Sequence, residues 1–395
     1  MKAFELKGRN LGLYIHIPFC ISKCTYCDFF SLPLAPYVPQ SYVDALCNEI
    51  RESFYGSDCL VDSVYVGGGT PSLLSDIQIK QLFDCIRKNA RLSQDCEITI
   101  EVNPDDVNKN LLLALKDAGV NRISCGIQSF NDSVLTFCKR RASAQVNKNA
   151  LDCIKTYWNG KLSLDLICAM PYESEESFLQ GLKQLADIKP EHISMYSLTI
   201  EDETPLGKLI EKGSLIYDYD LADKMWLSGR DFLENSSYVQ YEVSNFCLAG
   251  NECRHNMKYW TRSDYIGCGC GATGTLYFPG GKAVRQTNIN DVDLYTAYWL
   301  SSHREKEKLP FILENIDEKD GEFEFFMMAL RKVAGFSDSD YKKHFLHPLP
   351  QSFLSVFEKW QKKNLAFCKK DIDDCVYTLG KEGIIYLNSF LKELI

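Results

Sequence analysis

The stretch YIHIPFCISKCTYCDFFS, from Tyr14 to Ser31, carries Cys20, Cys24 and Cys27 at the spacing C-x3-C-x2-C. The apolar run at its start predicts a buried strand, and the cysteines follow where that strand ends. Three thiols on one loop at the end of a strand indicate a binding site, and the neighbouring segments indicate which fold presents it.

Short apolar runs rich in β-branched residues recur along the first half of the chain, and helical patterns separate most of them. Strands that alternate with helices predict βαβ units and a parallel sheet. Six such units can form either a partial barrel or an open doubly wound sheet. The predicted strands are residues 13–19, 63–69, 97–103, 122–130, 162–170 and 192–200.

Polar residues at the ends of the predicted strands favour the barrel. They are Gly67–Thr70, Glu101, Gln128, Asp165 and Thr199. The carboxyl ends of parallel barrel strands share one mouth, where binding and catalytic residues are normally placed. A Rossmann fold would instead need G-x-G-x-x-G after the first strand, which is absent here. We therefore predict an α/β fold, a partial (β/α)6 barrel.

The chain divides by pattern into three predicted regions. Residues 1–240 form the barrel, and residues 241–300 read as flanking strands and glycine-rich turns that include the segment HNMKYW. Residues 301–395 read as a small helical or winged-helix-like domain, and its first ten residues, 301–310, are charged and read as a linker or exposed connection.

Composition limits the classes of partner. The net charge of −9 without a long basic stripe argues against nucleic-acid binding. We see no apolar run of membrane-spanning length and no secretory pattern in MKAFELKGRN, so we expect a cytoplasmic protein. Seventeen scattered cysteines then read as reduced thiols rather than as a disulfide framework.

Four interpretations compete for the three clustered cysteines. A zinc site normally uses four ligands from two separated pairs, and no second pair with that spacing follows. A C-x2-C redox motif would leave Cys20 unexplained, and core thiols would crowd one loop. The fourth interpretation is an iron–sulfur cluster, held by cysteine thiolates. With three ligands, one iron stays open to an exogenous ligand.

The motif resembles that of the radical S-adenosylmethionine (SAM) superfamily, in which three cysteines hold a 4Fe–4S cluster and SAM chelates the fourth iron. More narrowly, the chain resembles the oxygen-independent coproporphyrinogen III oxidase-like group, and within it the HemW-type haem chaperones. The resemblance covers nearly the whole chain and includes VYVGGGTPSLL, EITIEVNPDD, GVNRISCGIQSFND, DLICAMP, YEVSNF, HNMKYW and EGIIYLNSFLKEL.

The resemblance implies a SAM site built by residues from every predicted strand of the barrel. Arginine suits a carboxylate, and glycines let the backbone approach the methionyl group. The implied residues are Tyr14, Tyr26, Gly68, Gly69, Thr70, Glu101, Gln128, Arg140, Asp165, Thr199 and Thr273.

Two short segments depart from the pattern of the family. Lys139 and Ala142 stand where the family often has a glycine and a histidine beside the arginine. Ala169, Tyr172 and Glu173 stand in a turn that is usually glycine-rich. We expect the second departure to narrow the pocket.

The resemblance associates the element H-N-x-x-Y-W with haem, so His255 is a candidate haem ligand and Cys253 an alternative thiolate ligand. The competing interpretation is a buried histidine fixed by its neighbours. His16 on the first strand is predicted to be structural and to point away from Tyr14 and Cys20.

Two functions therefore follow from the resemblance. One is a haem chaperone that binds a 4Fe–4S cluster, SAM and haem and hands haem to an acceptor protein, with an electron donor as a further partner. The alternative is an oxidase that decarboxylates coproporphyrinogen III to protoporphyrinogen IX. A more remote class is a radical SAM enzyme for another substrate. The oxidase group has the motif C-x3-C-x2-C-x-C, with a fourth cysteine two residues after the third. This chain has Phe29 at that position, which favours the chaperone.

Overall fold

The computed structural model describes residues 6–33, 37–303, 309–371 and 374–395, so residues 304–308 of the predicted linker lie outside the described residues. Strands β1–β17 of the described chain, numbered in order, are Asn10–Ile17, Phe19–Cys20, Leu32–Pro33, Leu60–Gly68, Arg91–Val102, Arg122–Gln128, Lys161–Cys168, His192–Ser197, Val239–Gln240, Asn245–Cys247, Tyr265–Cys268, Thr273–Tyr277, Ala283–Asn288, Phe311–Ile316, Phe336–Ser337, Ala366–Asp371 and Asp374–Leu379.

Helices α1–α14 are numbered in the same way, and short 3₁₀ turns lie at Pro71–Leu73, Pro104–Asp106 and Gly383–Tyr386. The helices are Gln40–Phe54, Asp76–Asn89, Lys109–Asp117, Asp132–Phe137, Ala144–Tyr157, Glu175–Ile188, Pro205–Glu211, Tyr219–Asn235, Arg254–Trp260, Val292–Leu300, Glu318–Ala329, Asp338–Phe345, Gln351–Gln361 and Leu387–Lys392.

One large sheet organises the described chain. Its strand order is β14-β13-β12-β11-β1-β4-β5-β6-β7-β8-β10-β9. The six strands β1, β4, β5, β6, β7 and β8 pair in parallel, and they correspond to the six predicted strands. Because β14 and β9 are the two edges, the barrel is open, and the predicted partial (β/α)6 architecture is confirmed.

Side-chain hydrogen bonds cap the N-termini of helices that lie between the parallel strands. Ser75 accepts a bond from the backbone N–H of Gln78, and the Gln78 side chain accepts the N–H of Ser75, which closes a capping box at α2. Ser174 and Ser177 form the same device at α6. The apolar faces of these helices pack on the sheet and bury the main core.

Within residues 241–300, which were predicted as strands and glycine-rich turns, the segment HNMKYW differs from the prediction. The segment HNMKYW is the second part of helix α9, Arg254–Trp260, not a strand. Its tyrosine and tryptophan favour strands by propensity, but the helix brings His255 and Tyr259, four residues apart, within hydrogen-bond distance. Strands β11 and β12, joined by a glycine-rich turn, agree with the prediction.

The region after residue 300 contains two structures. Strand β14 still belongs to the large sheet, since it pairs with β13, so the sheet extends past the predicted boundary. The chain then forms helices α11–α14 and the three-stranded sheet β15-β17-β16 around a second core. Helices with a small antiparallel sheet fit the predicted winged-helix-like domain.

Phe353 tests this second core. Its side chain is fully buried and stacks on Phe326 with ring centroids 4.5 Å apart. We expect Phe353→Ala to lower the free energy of unfolding by about 3–5 kcal/mol, because it leaves a cavity. The control Phe367→Ala removes a side chain that is 50% exposed and should cost less than about 1 kcal/mol. Equal losses in urea titrations of the two variants would contradict the assigned core.

Candidate functional site

A cavity of about 500 Å³ opens at the carboxyl ends of the parallel strands. Most of the predicted site residues line it, as the barrel interpretation requires. They are Cys20, Cys24, Cys27, Tyr26, Gly68, Gly69, Thr70, Glu101, Gln128, Arg140, Asp165 and Thr199. The other three predicted residues, Tyr14, Thr273 and His255, lie elsewhere; Thr273 is on β12, where its hydroxyl is 3.2 Å from that of Thr287.

Residues 21–31, which carry Cys24 and Cys27 and directly follow Cys20 at the end of β2, are called the cluster loop here. A two-residue parallel ladder between β2 and β3 closes its base, and the N–H of Leu32 donates to the carbonyl of Pro18 at 2.7 Å. Farther out, the N–H of Thr25 donates to the carbonyl of Cys138, and the carbonyl of Thr25 accepts from Leu206. Backbone bonds thus hold the loop at its base and along its length.

Arg140 crosses the cavity from the cluster loop to the strand ends. Its guanidinium donates to the carbonyl of Gly126 at 2.7 Å and to the side-chain oxygen of Asn103 at 3.1 Å. The same group lies 3.8 Å from the Cys24 sulfur. Its buried Nε and the buried Oε1 of Gln128 have no hydrogen-bond partner among the described residues. Buried polar atoms normally find partners, so these two, at residues that line the cavity, are available to a polar ligand bound there.

Two carboxyl groups share the floor of the cavity. Glu101 accepts from the Tyr65 hydroxyl at 2.8 Å and from the N–H of Gly68 at 3.2 Å. Burial raises the pKa of Glu101 to about 7, and the charge of Asp165 adds to the shift. Burial also raises the pKa of Asp165, although Ser124 donates to its carboxylate at 3.0 Å. A pair of half-buried carboxylates that oppose each other's charge favours a cationic ligand.

The glycines after β4 leave room that any side chain would fill. Gly68 has φ +114°, and a Cβ there would lie 2.7 Å from the His16 ring. A Cβ at Gly69 would lie 2.7 Å from the carbonyl oxygen of Phe19, at the base of the cluster loop. Glycine is therefore required at both positions, by close approach at each and by conformation at Gly68.

The prediction that His16 points away from Tyr14 was wrong. The two residues are two positions apart on β1, so their side chains point to the same face of the strand. The Tyr14 hydroxyl lies 2.9 Å from His16 Nδ1. His16 Nε2 lies 3.0 Å from the carbonyl oxygen of Phe30. Tyr14 and His16 therefore support the cavity from beneath Gly68 instead of lining it.

His255 and Cys253 are enclosed inside the barrel. The His255 ring nitrogens lie 3.0 Å from the Ser63 hydroxyl and 2.9 Å from the Tyr259 hydroxyl, and its side chain is 1% exposed. Burial lowers the pKa of His255 to about 3. Cys253 is fully buried and its thiol points to Glu97. The structure presents neither group to a haem iron, in line with the interpretation of a buried histidine.

Several residues of the cavity were not predicted. Asn103, Ser124 and Tyr196 line it and contact or border the predicted set. They come from the same strand ends, but only the fold brings them together. Asn103 had a usable signal, because it directly follows the strand that carries Glu101.

The residues that replace glycines of the family pattern affect the backbone angles of the chain rather than the size of the cavity. Ala169, Tyr172 and Glu173 do not line the cavity, so the expected narrowing does not occur. Ala169, Tyr172 and Lys139 instead adopt positive φ angles of 61°, 67° and 54°. Glycine takes such angles without strain, whereas each of these residues costs about 1–3 kcal/mol.

The donor set suits a metal cluster with an open position together with a polar, cationic ligand. Three thiols line the cavity together with Arg140, Gln128 and two carboxyl groups, and Arg140 and Gln128 each have a buried atom without a partner among the described residues. Thiolates are the ligands that iron–sulfur clusters use. In the described ranges, no three histidine, cysteine or acidic side chains already stand close enough to bind one metal ion.

Comparison with known proteins places the chain in a family. The sequence model of the Radical SAM superfamily matches residues 14–185. Heme chaperone HemW of Escherichia coli (strain K12) is 37% identical over 324 residues, 81% of this chain and 82% of that protein. Heme chaperone HemW of Buchnera aphidicola subsp. Schizaphis graminum (strain Sg) is 33% identical over 388 residues, 97% of each chain. The chain belongs to the HemW family.

The fold of this HemW family member is also that of a solved structure. Coproporphyrinogen III oxidase (HemN) from Escherichia coli, described as a radical SAM enzyme, superposes with a TM-score of 0.79 over 99% of this chain and 91% of that chain. The sequences are 22% identical, so the likeness concerns the fold. The resemblance to the radical SAM superfamily and to its HemW group is confirmed.

Substitution of Gly68 tests how closely its backbone packs against the His16 ring. We expect Gly68→Ala to cost about 3 kcal/mol or more of unfolding free energy, since it combines a strained φ with a clash. Gly213→Ala is the matched control, because Gly213 has φ +66° and no atom within 4 Å of an added Cβ, so it should cost only about 1 kcal/mol. Thermal or urea unfolding gives both values, and similar costs would refute close packing at Gly68.

Proposed function

We propose that this chain is a HemW-type haem chaperone that holds a 4Fe–4S cluster on Cys20, Cys24 and Cys27, binds SAM beside it and passes haem to an acceptor protein. The observation that carries the proposal is that the three thiols and the polar set of the predicted SAM site line one cavity. Similarity to HemW proteins over most of the chain supports the same assignment.

The cavity offers a complementary group for each part of SAM. Arg140 presents donors that suit its carboxylate, while Glu101 and Asp165 suit its ammonium, sulfonium or ribose hydroxyls. The Gly68–Gly69 backbone leaves space for the methionyl chain. A cation bound here lowers the pKa of Glu101 and so keeps its carboxylate ionised. A cluster held by Cys20, Cys24 and Cys27 would supply electron-transfer chemistry beside bound SAM, and Gln128 and Arg140 would orient SAM toward the thiols.

Phe29 favours the chaperone over the oxidase. It stands two residues after Cys27, lines the outer cavity and is 68% exposed. The oxidase group has a fourth cysteine at this position. An exposed phenylalanine instead suits contact with a flat apolar ring such as a porphyrin. The likeness to the HemN structure supports only the shared fold.

The remaining partners follow from this role. A chaperone needs a haem acceptor and, where the cluster changes redox state, an electron donor. Among the described residues, no helix has the length and apolar character needed to cross a bilayer. We place the protein in the cytoplasm, where its many thiols stay reduced. We assign no nucleic-acid partner, given the net charge of −9.

The cluster assignment predicts a clear loss. In anaerobically reconstituted protein, Cys24→Ser should abolish the 4Fe–4S absorption near 400 nm, about four iron atoms per chain falling to near zero, because two thiolates do not retain the cluster. Cys153→Ser, a half-buried thiol on α5, is the control and should keep the iron of the unchanged protein. Full iron content in Cys24→Ser would contradict the ligand assignment.

Haem binding and porphyrin chemistry distinguish the two candidate functions. The reconstituted protein should bind about one haem per chain, seen as a Soret band, and release it to an apo-haemoprotein. Incubated anaerobically with coproporphyrinogen III, SAM and a reductant, it should form no protoporphyrinogen IX by chromatography. Multiple-turnover decarboxylation would establish the oxidase instead.

His255→Ala completes this experiment. Because the imidazole is enclosed by Ser63 and Tyr259, the variant should lose stability but keep the Soret position of its folded fraction. A shifted or missing Soret band in folded variant protein would restore His255 as the haem ligand.

A further inference from the structure

Glu49 is a buried carboxylate outside the cavity. It lies in the middle of helix α1, and its side chain is 1% exposed. It faces the glycine-rich turn Gly269–Gly271, which joins β11 to β12. The proposed cluster and SAM chemistry make no use of Glu49, so its burial needs another explanation.

Three donors converge on this carboxylate. The N–H of Gly269 and the side-chain amide of Asn288 each donate at 2.7 Å, and the Tyr295 hydroxyl donates as well. Burial raises the pKa of Glu49 to about 7, while the three bonds oppose the shift. We take the ionised form as the structural one, because a carboxylate has acceptor sites for all three donors.

The same turn is joined to the end of β1. The N–H of Cys270 donates to the Tyr42 hydroxyl at 3.0 Å, and that hydroxyl donates to the carbonyl of His16 at 2.8 Å. Gly269 has φ +110°, and a Cβ there would lie 2.4 Å from the carbonyl oxygen of His16. The Gly269–Gly271 turn therefore packs closely against the end of β1, the strand that precedes β2 and the cluster loop.

Phe30 carries this contact into the cluster loop. A Cβ on Gly271 would lie 2.7 Å from the Phe30 ring, so the ring rests directly on the turn. The Phe30 ring also stacks on the His16 ring with centroids 6.2 Å apart, and the Phe30 carbonyl oxygen lies 3.0 Å from His16 Nε2. Phe30 stands three residues after Cys27, so its position limits where that thiol can lie.

We propose that Glu49 is a positioning residue for the cluster loop: it fixes the Gly269–Gly271 turn, the turn fixes Phe30, and Phe30 sets the placement of Cys27. The claim that Glu49 positions the loop depends only on contacts within the protein. The claim that Glu49 also affects a bound cluster rests on the function proposed above, and separate experiments test the two claims.

Hydrogen exchange of the cluster-free protein tests the positioning. Glu49→Gln keeps the shape but offers an amide N–H₂ where an acceptor is needed, so amides of residues 21–31 and 268–272 should exchange about tenfold faster. Amides in the second core, such as those of α13, should keep their rates. Glu176→Gln, an exposed residue of α6, is the control and should change neither region. Unchanged exchange over residues 21–31 in folded Glu49→Gln protein overturns the proposal.

A second variant interrupts the path at another point and covers the case in which Glu49→Gln does not fold. Gly271→Ala displaces Phe30 while leaving the carboxylate intact, and it should also accelerate exchange over residues 21–31. Its control, Gly250→Ala, has nearly the same φ, +79° against +78°, but no atom within 4 Å of an added Cβ. Equal exchange of the cluster loop in these two variants overturns the link through Phe30.

The cluster-loaded protein gives a readout that loss of stability alone does not move. In Glu49→Gln, the electron paramagnetic resonance signal of the reduced cluster should broaden or shift its g values at unchanged iron content, while Glu176→Gln keeps the original spectrum. An unaltered spectrum overturns the effect on the cluster. If the unchanged protein binds no cluster, the proposed function fails, and the exchange data still decide the positioning role.

Discussion

The site depends on the attachment of the cluster loop to the end of the first parallel strand. Ordering a loop of this length costs backbone conformational entropy, and thiols that are free to move would not converge on one ligand. The chain meets this cost with the β2–β3 ladder, the His16 contact to Phe30 and the glycines that admit Phe19 and Phe30 at short distance. These contacts are made by backbone atoms, by glycines and by the His16 side chain, and they keep the loop close to the sheet.

The polar interior of the barrel has two parts with different tasks. Near the mouth, Glu101 and Asp165 are half-buried carboxyl groups with raised pKa values, and Gln128 and Arg140 have atoms without partners among the described residues. Such groups are costly unless a ligand completes them. Deeper in the barrel, the His255 nitrogens already have protein partners. The mouth is prepared for a ligand, while the interior below it is closed.

Of the nine non-glycine residues with positive φ in the described chain, four lie at or near the same mouth. Gln128 and Lys139 line the cavity with φ of 66° and 54°, and Ala169 and Tyr172 follow β7 with similar values. Non-glycine residues persist at such angles when surrounding contacts require them.

The sequence by itself determined the six parallel strands, the order of the helices and most of the cavity residues, because hydrophobic periodicity and strand-end position are local properties of the chain. It did not determine the direction of His16, the helix at residues 254–260 or the enclosure of His255, which depend on neighbours far away in the chain such as Ser63. Nor could it reveal Glu49 at the glycine-rich turn, where the partners are more than 200 residues away. Only the tertiary structure decides such contacts, because burial and hydrogen-bond partners are set by packing between segments rather than by the pattern within one.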